Sequence, residues 1–189
     1  MKSVFKKILC FLFLACAASA SAQKPVGIVL DTLTIKHIDE QGVTHEGVII
    51  CNRTISRDLR EIFAELYRAK YPIERIRPIS EYNDDDELSM QANNTSCYCY
   101  RTVSGSARLS KHATGMAIDI NPLYNPCVRR KFDGTLQVQP ATGRPYVDRG
   151  KVFPYKITPN DLCYRLFLRH GFRWGGNWRS LKDYQHFEK

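Results

Sequence analysis

The segment Ser110-Lys111-His112-Ala113-Thr114-Gly115-Met116-Ala117-Ile118-Asp119 restricts the fold more strongly than any other part of the sequence. Residues 116–120 alternate as a short strand does, which places Asp119 on one face and the large apolar side chains on the other. We therefore predict a strand that presents a carboxylate on its exposed face. Gly115 allows a turn before this strand, so that His112 on the incoming loop and Asp119 can point to one ion.

A third candidate ligand, His186, lies near the other end of the sequence. Catalytic zinc sites usually offer three nitrogen or oxygen ligands and leave a fourth position for water. Two imidazoles and one carboxylate suit Zn²⁺ and would also accept other divalent ions. A single histidine is more often a surface or core residue than a ligand, so the prediction depends on the three residues together. We predict one zinc ion held by His112, Asp119 and His186.

The N-terminal half of the sequence predicts a β-hairpin followed by an amphipathic helix. Residues 27–39 and 42–51 are rich in Val, Ile, Leu and Thr and are joined by turn-forming residues. Apolar residues then recur at helical spacing, with Ser56 as the expected N-cap and Pro72 marking where the helix has ended. One helix is therefore expected to follow the hairpin directly.

The rest of the sequence predicts two irregular segments and a second helix. Residues 80–96 are polar and contain the acidic run Asp84-Asp85-Asp86-Glu87, which indicates a solvated loop more than a calcium site. After Pro122, a stretch rich in Pro and Gly predicts an irregular excursion. The second helix is expected to be capped by Thr158 and to end at Gly171. The predicted fold class is α+β, a small antiparallel sheet with flanking helices and the zinc site at the open face of the sheet.

The first 22 residues have the pattern of an export signal. A basic start precedes an apolar run over residues 8–18 and the small-residue cleavage site at residues 20–22. The run is shorter than the roughly 20 residues that a membrane span needs, so no stable membrane insertion is expected after cleavage. We predict a signal peptide over 1–22, a single catalytic domain over 23–189, and a periplasmic or extracellular location. A lipoprotein anchored through Cys16 is the minor alternative.

Composition and cysteine usage limit the possible partners. The net charge is +9, and the +6 that remains without the three lysines of the predicted signal is spread along the chain. No nucleic-acid-binding motif is present, so no nucleic-acid partner is expected. The charge is compatible with a monomeric basic domain or with attraction to an anionic wall or membrane surface. The cysteines outside the signal are packing or disulfide residues whose pairing the sequence does not determine: Cys51, Cys97, Cys99, Cys127 and Cys163.

Two ordered motifs resemble a known family. Residues 110–119 fit Ser-x-His-x-x-Gly-x-Ala-x-Asp, and residues 183–188 fit Asp-x-x-His-Phe-Glu. Together they resemble the VanY-type D-alanyl-D-alanine carboxypeptidases, especially the branch that includes L-alanyl-D-glutamate endopeptidases. Similar stretches at residues 93–96, 119–126 and 174–178 extend the resemblance to roughly Gly42 through the C-terminus. Asn177 departs from this branch, which often has Asp there.

The resemblance implies a zinc peptidase of hedgehog/D-Ala-D-Ala peptidase-like fold that cuts a peptide bond in peptidoglycan stem peptides. It implies His112, Asp119 and His186 as the zinc ligands. It further implies Asp183 as the general base, and Arg101 as a catalytic and substrate-binding residue that faces the substrate carbonyl. Ser110 is expected to bind substrate or to orient His112.

A non-catalytic zinc-containing wall-binding module on the same fold is the alternative reading. Loss of Asp183 or Arg101 would be its signature, and both are present. The sequence therefore favours a hydrolase, either a D,D-carboxypeptidase or an L-Ala-D-Glu endopeptidase.

Overall fold

The computed structural model describes residues 27–189 and begins with the predicted hairpin, whereas the predicted export signal and Cys16 lie outside the described residues. Strands β1 (Leu30–Ile38) and β2 (Thr44–Asn52) pair antiparallel. Alternate residues of both strands are buried, as a half-exposed sheet requires. Within residues 27–189, no helix combines the length and the apolar character needed to cross a membrane.

Helix α1 (Arg53–Arg68) begins directly at the end of β2. Asn52 is its N-cap, because its Oδ1 accepts a hydrogen bond from Thr54 N at 3.0 Å. The predicted start at Ser56 is wrong, since the Ser56 hydroxyl lies inside the first turn and donates to Arg53 O. The helix packs one apolar stripe against the hairpin, formed by Ile55, Leu59, Ile62, Phe63 and Leu66.

The remaining strands are short and form three further sheets. They are β3 (Arg75–Ile76), β4 (Asn94–Thr95), β5 (Ala117–Asp119), β6 (Cys127–Arg130), β7 (Leu136–Gln139), β8 (Arg173–Trp174), β9 (Lys182–Asp183) and β10 (His186–Glu188). Two sheets are antiparallel, with strand orders β5-β10-β8 and β7-β6-β9, whereas β3 and β4 form a parallel pair. The molecule is therefore α+β with several small, mostly antiparallel sheets, rather than one sheet.

The acidic segment is more ordered than its composition predicts. Helix α2 (Asp86–Gln91) lies inside it, and the Asp85 carboxylate caps this helix by accepting from Leu88 N at 3.1 Å. Ser89 and Met90 on α2 are buried. The prediction of a solvated loop is thus wrong for this segment.

The predicted excursion after Pro122 contains a regular β-hairpin formed by β6 and β7. Its turn is closed by Asp133, whose carboxylate accepts from Thr135 N at 2.9 Å, and by Gly134, which has a positive φ of 80°. The basic residues of β6 hide the strand pattern in the sequence.

Helix α3 (Leu162–Arg169) holds the sheet β5-β10-β8 on the main core. Its N-cap is Asp161, which accepts from Cys163 N at 2.7 Å, so the predicted start at Thr158 is wrong. Thr158 belongs to the preceding turn, where its carbonyl accepts from Asp161 N. The ring of Phe167 stacks on that of Phe187 at 4.3 Å between centroids. This stacking fixes β10, the strand that carries His186.

Candidate metal centre

Three side chains from three different elements converge in a buried cluster. His112 lies on a 3-10 turn (Lys111–Thr114), Asp119 ends β5 and His186 begins β10. Asp119 and His186 are cross-strand partners in register, which brings their side chains to one face of the sheet. All three are buried and could hold a metal ion together.

The donor atoms of the cluster lie close to one another. His112 Nε2 is 3.1 Å from His186 Nδ1 and 3.3 Å from Asp119 Oδ2, and His186 Nδ1 is 3.1 Å from Asp119 Oδ1. Asp119 is only 4% exposed, so the prediction of a carboxylate on an exposed face is wrong. The segment after β4 covers it, because Ser96 and Asp119 exchange two backbone hydrogen bonds.

Local backbone chemistry places His112. The Ser110 hydroxyl accepts from His112 N at 3.3 Å and caps the 3-10 turn. Gly115 ends this turn with a φ of 68°, and a Cβ there would lie 2.6 Å from Asn52 N. Only glycine tolerates both the positive φ and the close approach, so this residue lets the chain reverse between His112 and Asp119.

Hydrogen bonds outside the cluster select which imidazole nitrogen faces it. His112 Nδ1 lies 2.7 Å from Cys97 O and must donate to that carbonyl, which leaves Nε2 as the free donor atom. His186 Nε2 lies 3.5 Å from Glu188 Oε2, which leaves Nδ1. The role of Glu188 is not among the sequence predictions. The sequence feature that indicates this role is the two-residue spacing of Glu188 from His186 on a strand, because this spacing places both side chains on one face.

The charges of the cluster stabilise one another. Burial opposes ionisation of Asp119, but His112 and His186 outweigh burial and hold the pKa of Asp119 well below its usual range. Burial alone lowers the pKa of His186, but Asp119 and Glu188 outweigh it and raise this pKa to about 10. The ligand atoms of His112, Asp119 and His186 converge on one small buried space, and such an arrangement favours binding of a cation between them. The donor set thus fits a divalent metal ion held by nitrogen and oxygen.

Asp183 lies beside the cluster on β9, opposite Cys127 of β6. Its Oδ1 is buried and has no hydrogen-bond partner among residues 27–189. Burial raises the pKa of Asp183 to about 6, and the charge of Asp119 adds to this, while the two cluster histidines and the neighbouring Cys127 thiol oppose it. A Cβ on Gly175 would lie 2.8 Å from Asp183 Cβ and 3.3 Å from His186 Cβ, so this glycine lets the chain close tightly over both residues.

Arg101 approaches the cluster from the segment before Ser110. Its carbonyl accepts from Ser110 N at 3.1 Å, which joins it directly to the turn that carries His112. Burial by itself lowers the pKa of Arg101, but the charges of Asp86, Asp119 and other nearby groups outweigh it, so this pKa lies above its usual value. The guanidinium is therefore within electrostatic reach of the cluster.

The two tryptophans of the C-terminal motif have different environments. Trp174 is buried in the core, and its Nε1 donates to Tyr184 O at 2.9 Å. The Trp178 ring lies 5.2 Å from the His186 ring, between centroids, and is only partly buried. Trp178 is thus a wall of the candidate site, whereas Trp174 is structural. Asn177 points its amide to the Tyr164 hydroxyl at 3.4 Å.

Other histidines and all five cysteines within residues 27–189 lie outside the cluster. His37 bonds to Ile73 O, His45 to Asp39 and His170 to Asp58, so each of these three histidines has a structural partner. The five cysteines are free thiols, and four of them are buried.

A buried His-Asp-His set with a further carboxylate and a guanidinium nearby defines a candidate mononuclear metal centre of the hydrolytic kind. Residues 104–189 match the family described as D-alanyl-D-alanine carboxypeptidase, which confirms the resemblance for this part of the chain. The matched segment contains the three cluster residues and Asp183, and Arg101 lies just before it. No curated protein and no solved structure matches the chain.

Proposed function

We propose that the protein is an exported zinc peptidase that hydrolyses a peptide bond in peptidoglycan stem peptides. The observation that carries the proposal is the buried cluster of His112, Asp119 and His186 beside the carboxylate of Asp183, within a segment similar to D-alanyl-D-alanine carboxypeptidases. The bond is that of a D,D-carboxypeptidase or of an L-Ala-D-Glu endopeptidase. The fold is proposed to be of the hedgehog/D-Ala-D-Ala peptidase kind.

The three cluster residues would hold one zinc ion through Nε2 of His112, Nδ1 of His186 and the carboxylate of Asp119. Bound there, zinc would polarise the scissile carbonyl and make water more acidic. The bonds from His112 to Cys97 O and from His186 to Glu188 hold both rings in the tautomer that binding requires.

Asp183 acts as the general base. Its carboxylate takes a proton from the water that attacks the scissile carbonyl, and a new C–O bond forms. Asp183 then gives this proton to the leaving amine as the C–N bond breaks. Burial raises the pKa of Asp183 to about 6, which suits a group that takes up and releases a proton near neutral pH.

Arg101 and Trp178 complete the substrate site in this proposal. The Arg101 guanidinium stabilises negative charge on the substrate carbonyl oxygen or pairs with a substrate carboxylate. Trp178 contacts the substrate beside His186. Ser110 orients His112 through its cap contact and remains a predicted substrate ligand.

The cellular setting belongs to the same proposal. Residues 1–22 direct export, 23–189 form one catalytic domain, and the mature chain works as a monomer in the periplasm or outside the cell. Its partner is the peptidoglycan peptide, with no nucleic acid and no stable membrane insertion. The evenly spread positive charge suits an anionic polymer substrate.

Metal content and product analysis of the purified protein test the proposal. We expect one zinc per chain and chelator-sensitive release of a terminal D-alanine, or cleavage between L-alanine and D-glutamate, from purified stem peptides by mass spectrometry. His112→Ala should lose zinc and activity, whereas Asp183→Ala should keep zinc and lose hydrolysis. His45→Ala is the matched control, because His45 pairs with Asp39 outside the cluster.

The possible results separate the alternatives. One zinc per chain without cleavage of any stem peptide would favour the non-catalytic wall-binding module. Absence of zinc would contradict the metal assignment. Retained turnover in Asp183→Ala would overturn the role of Asp183 as the base.

A further inference from the structure

The acidic run Asp84-Asp85-Asp86-Glu87 has no role in the proposed chemistry, yet its last three residues make specific contacts. Asp85 caps α2, and Glu87 Oε1 accepts from Ala141 N at 2.8 Å and from Gln91 Nε2 at 3.1 Å. The start of α2 is therefore stabilised by its N-cap and by a hydrogen bond from the segment after β7. Asp86 is the first residue of a well-supported helix.

Asp86 forms an ion pair with Arg101. Its Oδ2 lies 2.8 Å from Arg101 Nε, and the two side chains expose only 21% and 30% of their surface. The Nε–H does not point along this line, so the contact is a close ion pair rather than an aligned hydrogen bond. Burial raises the pKa of Asp86, whereas the positive charge of Arg101 opposes this rise. Such a partly shielded pair restricts the arginine more than a solvated surface pair does.

The pair leaves the outer edge of the guanidinium available. Arg101 Nη1 makes one long contact of 3.5 Å, to Thr102 O, and Nη2 has no hydrogen bond to any residue within 27–189. A guanidinium carries five N–H donors in a fixed plane, so an ion pair that restricts Nε also restricts where the terminal donors can lie. The charges of Asp119 and His112 also act on Asp86, so the pair lies within electrostatic reach of the metal cluster.

We propose that Asp86 is the positioning residue of Arg101, and that it aims the terminal guanidinium donors at the substrate oxygen beside the metal cluster. This inference rests on the proposed function, in which Arg101 contacts the substrate. Asp86 itself touches no substrate and acts only through Arg101. The acidic run then serves to position Arg101 rather than to bind a cation.

A double-mutant cycle tests whether Asp86 acts through Arg101. We expect Arg101→Met to lower kcat by about 100-fold, the scale of losing one donor to a developing oxyanion. Asp86→Asn should lower kcat by roughly tenfold with zinc content unchanged, because a loosened donor loses part of that effect. In the Arg101→Met background, Asp86→Asn should change kcat less than about twofold. Asp86→Glu, which keeps the charge, should recover part of the loss.

Asp84→Asn is the matched control, since Asp84 lies in the same run and makes no ion pair within residues 27–189. It should leave kcat, KM and zinc content unchanged. Equal effects of Asp86→Asn in both backgrounds would show a merely structural role and would overturn the inference. Wild-type activity in Asp86→Asn would overturn it as well.

A second readout separates this inference from the proposed function. The Nε–H resonance of Arg101, assigned by its loss in Arg101→Lys, should shift in Asp86→Asn and stay in place in Asp84→Asn. If the wild-type protein binds zinc but cuts no stem peptide, the proposed function fails while this resonance still tests the pair. An unchanged resonance in Asp86→Asn would reject the ion pair itself.

Discussion

At the scale of single residues, the two histidines of the cluster present different nitrogens to the common space. His112 donates through Nδ1 to a main-chain carbonyl, which no side-chain substitution removes. His186 is oriented by Glu188, a side chain, which in turn pairs with Arg173 at 2.8 Å. The orientation of His186 is therefore the more sensitive of the two to mutation.

Glu188→Ala should weaken zinc binding. The substitution removes the acceptor at His186 Nε2 and allows the ring to rotate or change tautomer, and loss of such outer contacts costs about 10- to 100-fold in metal affinity. Titration against a competing chelator measures the change. Glu188→Gln keeps an acceptor oxygen and should lose less, so equal losses in the two variants would argue against the orienting role.

Gly175→Ala should lower activity more than it lowers zinc content. Its Cβ would lie 2.7 Å from Asp183 O and 2.8 Å from Asp183 Cβ, so the backbone around Asp183 must move. Overpacking of this kind costs typically 1–3 kcal/mol, and here the strain falls on the proposed base. Steady-state kinetics and metal analysis measure the two effects.

Gly150→Ala is the control for this substitution. The nearest atom to its new Cβ is a carboxylate oxygen of Asp148 at 3.2 Å, on an exposed side chain that can move. Normal kinetics in Gly175→Ala would show that the close packing over Asp183 has no effect on the reaction.

At the scale of elements, the sequence predicts which elements exist better than where they begin. The stripe of α1 and the β1–β2 hairpin have clear periodicity and were correctly predicted. The starts of α1 and α3 were misplaced because several residues near each start can accept a capping hydrogen bond. Tertiary contacts determine which of these residues becomes the cap. For α1 it is Asn52, which also donates from Nδ2 to Thr114 O at 3.0 Å.

Short elements were missed for a different reason. Helix α2 and the β6–β7 hairpin are short and contain many polar and charged residues, so composition indicates a loop although specific contacts order the chain. The metal cluster was predicted from residue types in motif order, and the structure brings those three residues together. The contact of Cys97 O with His112 could not be predicted, because every residue has a main-chain carbonyl. The contact of Asp86 with Arg101 could not be predicted either, because nothing in the sequence distinguishes Asp86 from the three acidic residues beside it.

Asn52→Ala should destabilise the molecule by about 1 kcal/mol, the usual effect of losing an N-cap. Asn52 also joins the end of β2 to the turn that precedes β5, so the loss should exceed this usual value and approach about 2 kcal/mol. Urea unfolding of the two proteins measures the difference. Ser56→Ala, at the position first predicted as the cap, should change stability by less than about 0.5 kcal/mol.

At the scale of the whole molecule, three distant parts of the chain meet at one carboxylate. Asp58 on α1 accepts from Lys189 Nζ at 2.7 Å and lies 3.1 Å from His170 Nδ1, at the end of α3. Lys189 in turn follows β10, and its carbonyl accepts from Lys111 Nζ at 3.2 Å. This junction joins the main helix to the strand that carries His186.

Asp58→Asn should reduce stability at neutral pH but not in acid. Burial alone raises the pKa of Asp58, but Lys189 and His170 outweigh burial and lower it. Because the folded-state pKa lies below the unfolded value of about 3.9, the contribution of the carboxylate is fully present above that value. It is lost as the pH falls through the folded-state pKa.

Urea midpoints at neutral and strongly acidic pH measure this effect. The free energy of unfolding of the wild-type protein should exceed that of Asp58→Asn by roughly 0.5 kcal/mol at neutral pH, as expected for partly exposed ion pairs. The difference should vanish below the folded-state pKa. A difference that is the same at both pH values would assign the effect to packing rather than charge.

The proposed base and a proposed ligand belong to different sheets, since Asp183 pairs with β6 and His186 with β5. Only Tyr184 and Gln185 separate them, and both carbonyls are engaged, by Trp174 Nε1 and by Ile120 N. One residue inserted there would turn every following side chain of β10 to the opposite face. The tip of the β6–β7 hairpin, where Phe132 is fully exposed, has no such constraint. Related chains should therefore vary in length at the hairpin tip and keep an invariant two-residue spacer between base and ligand.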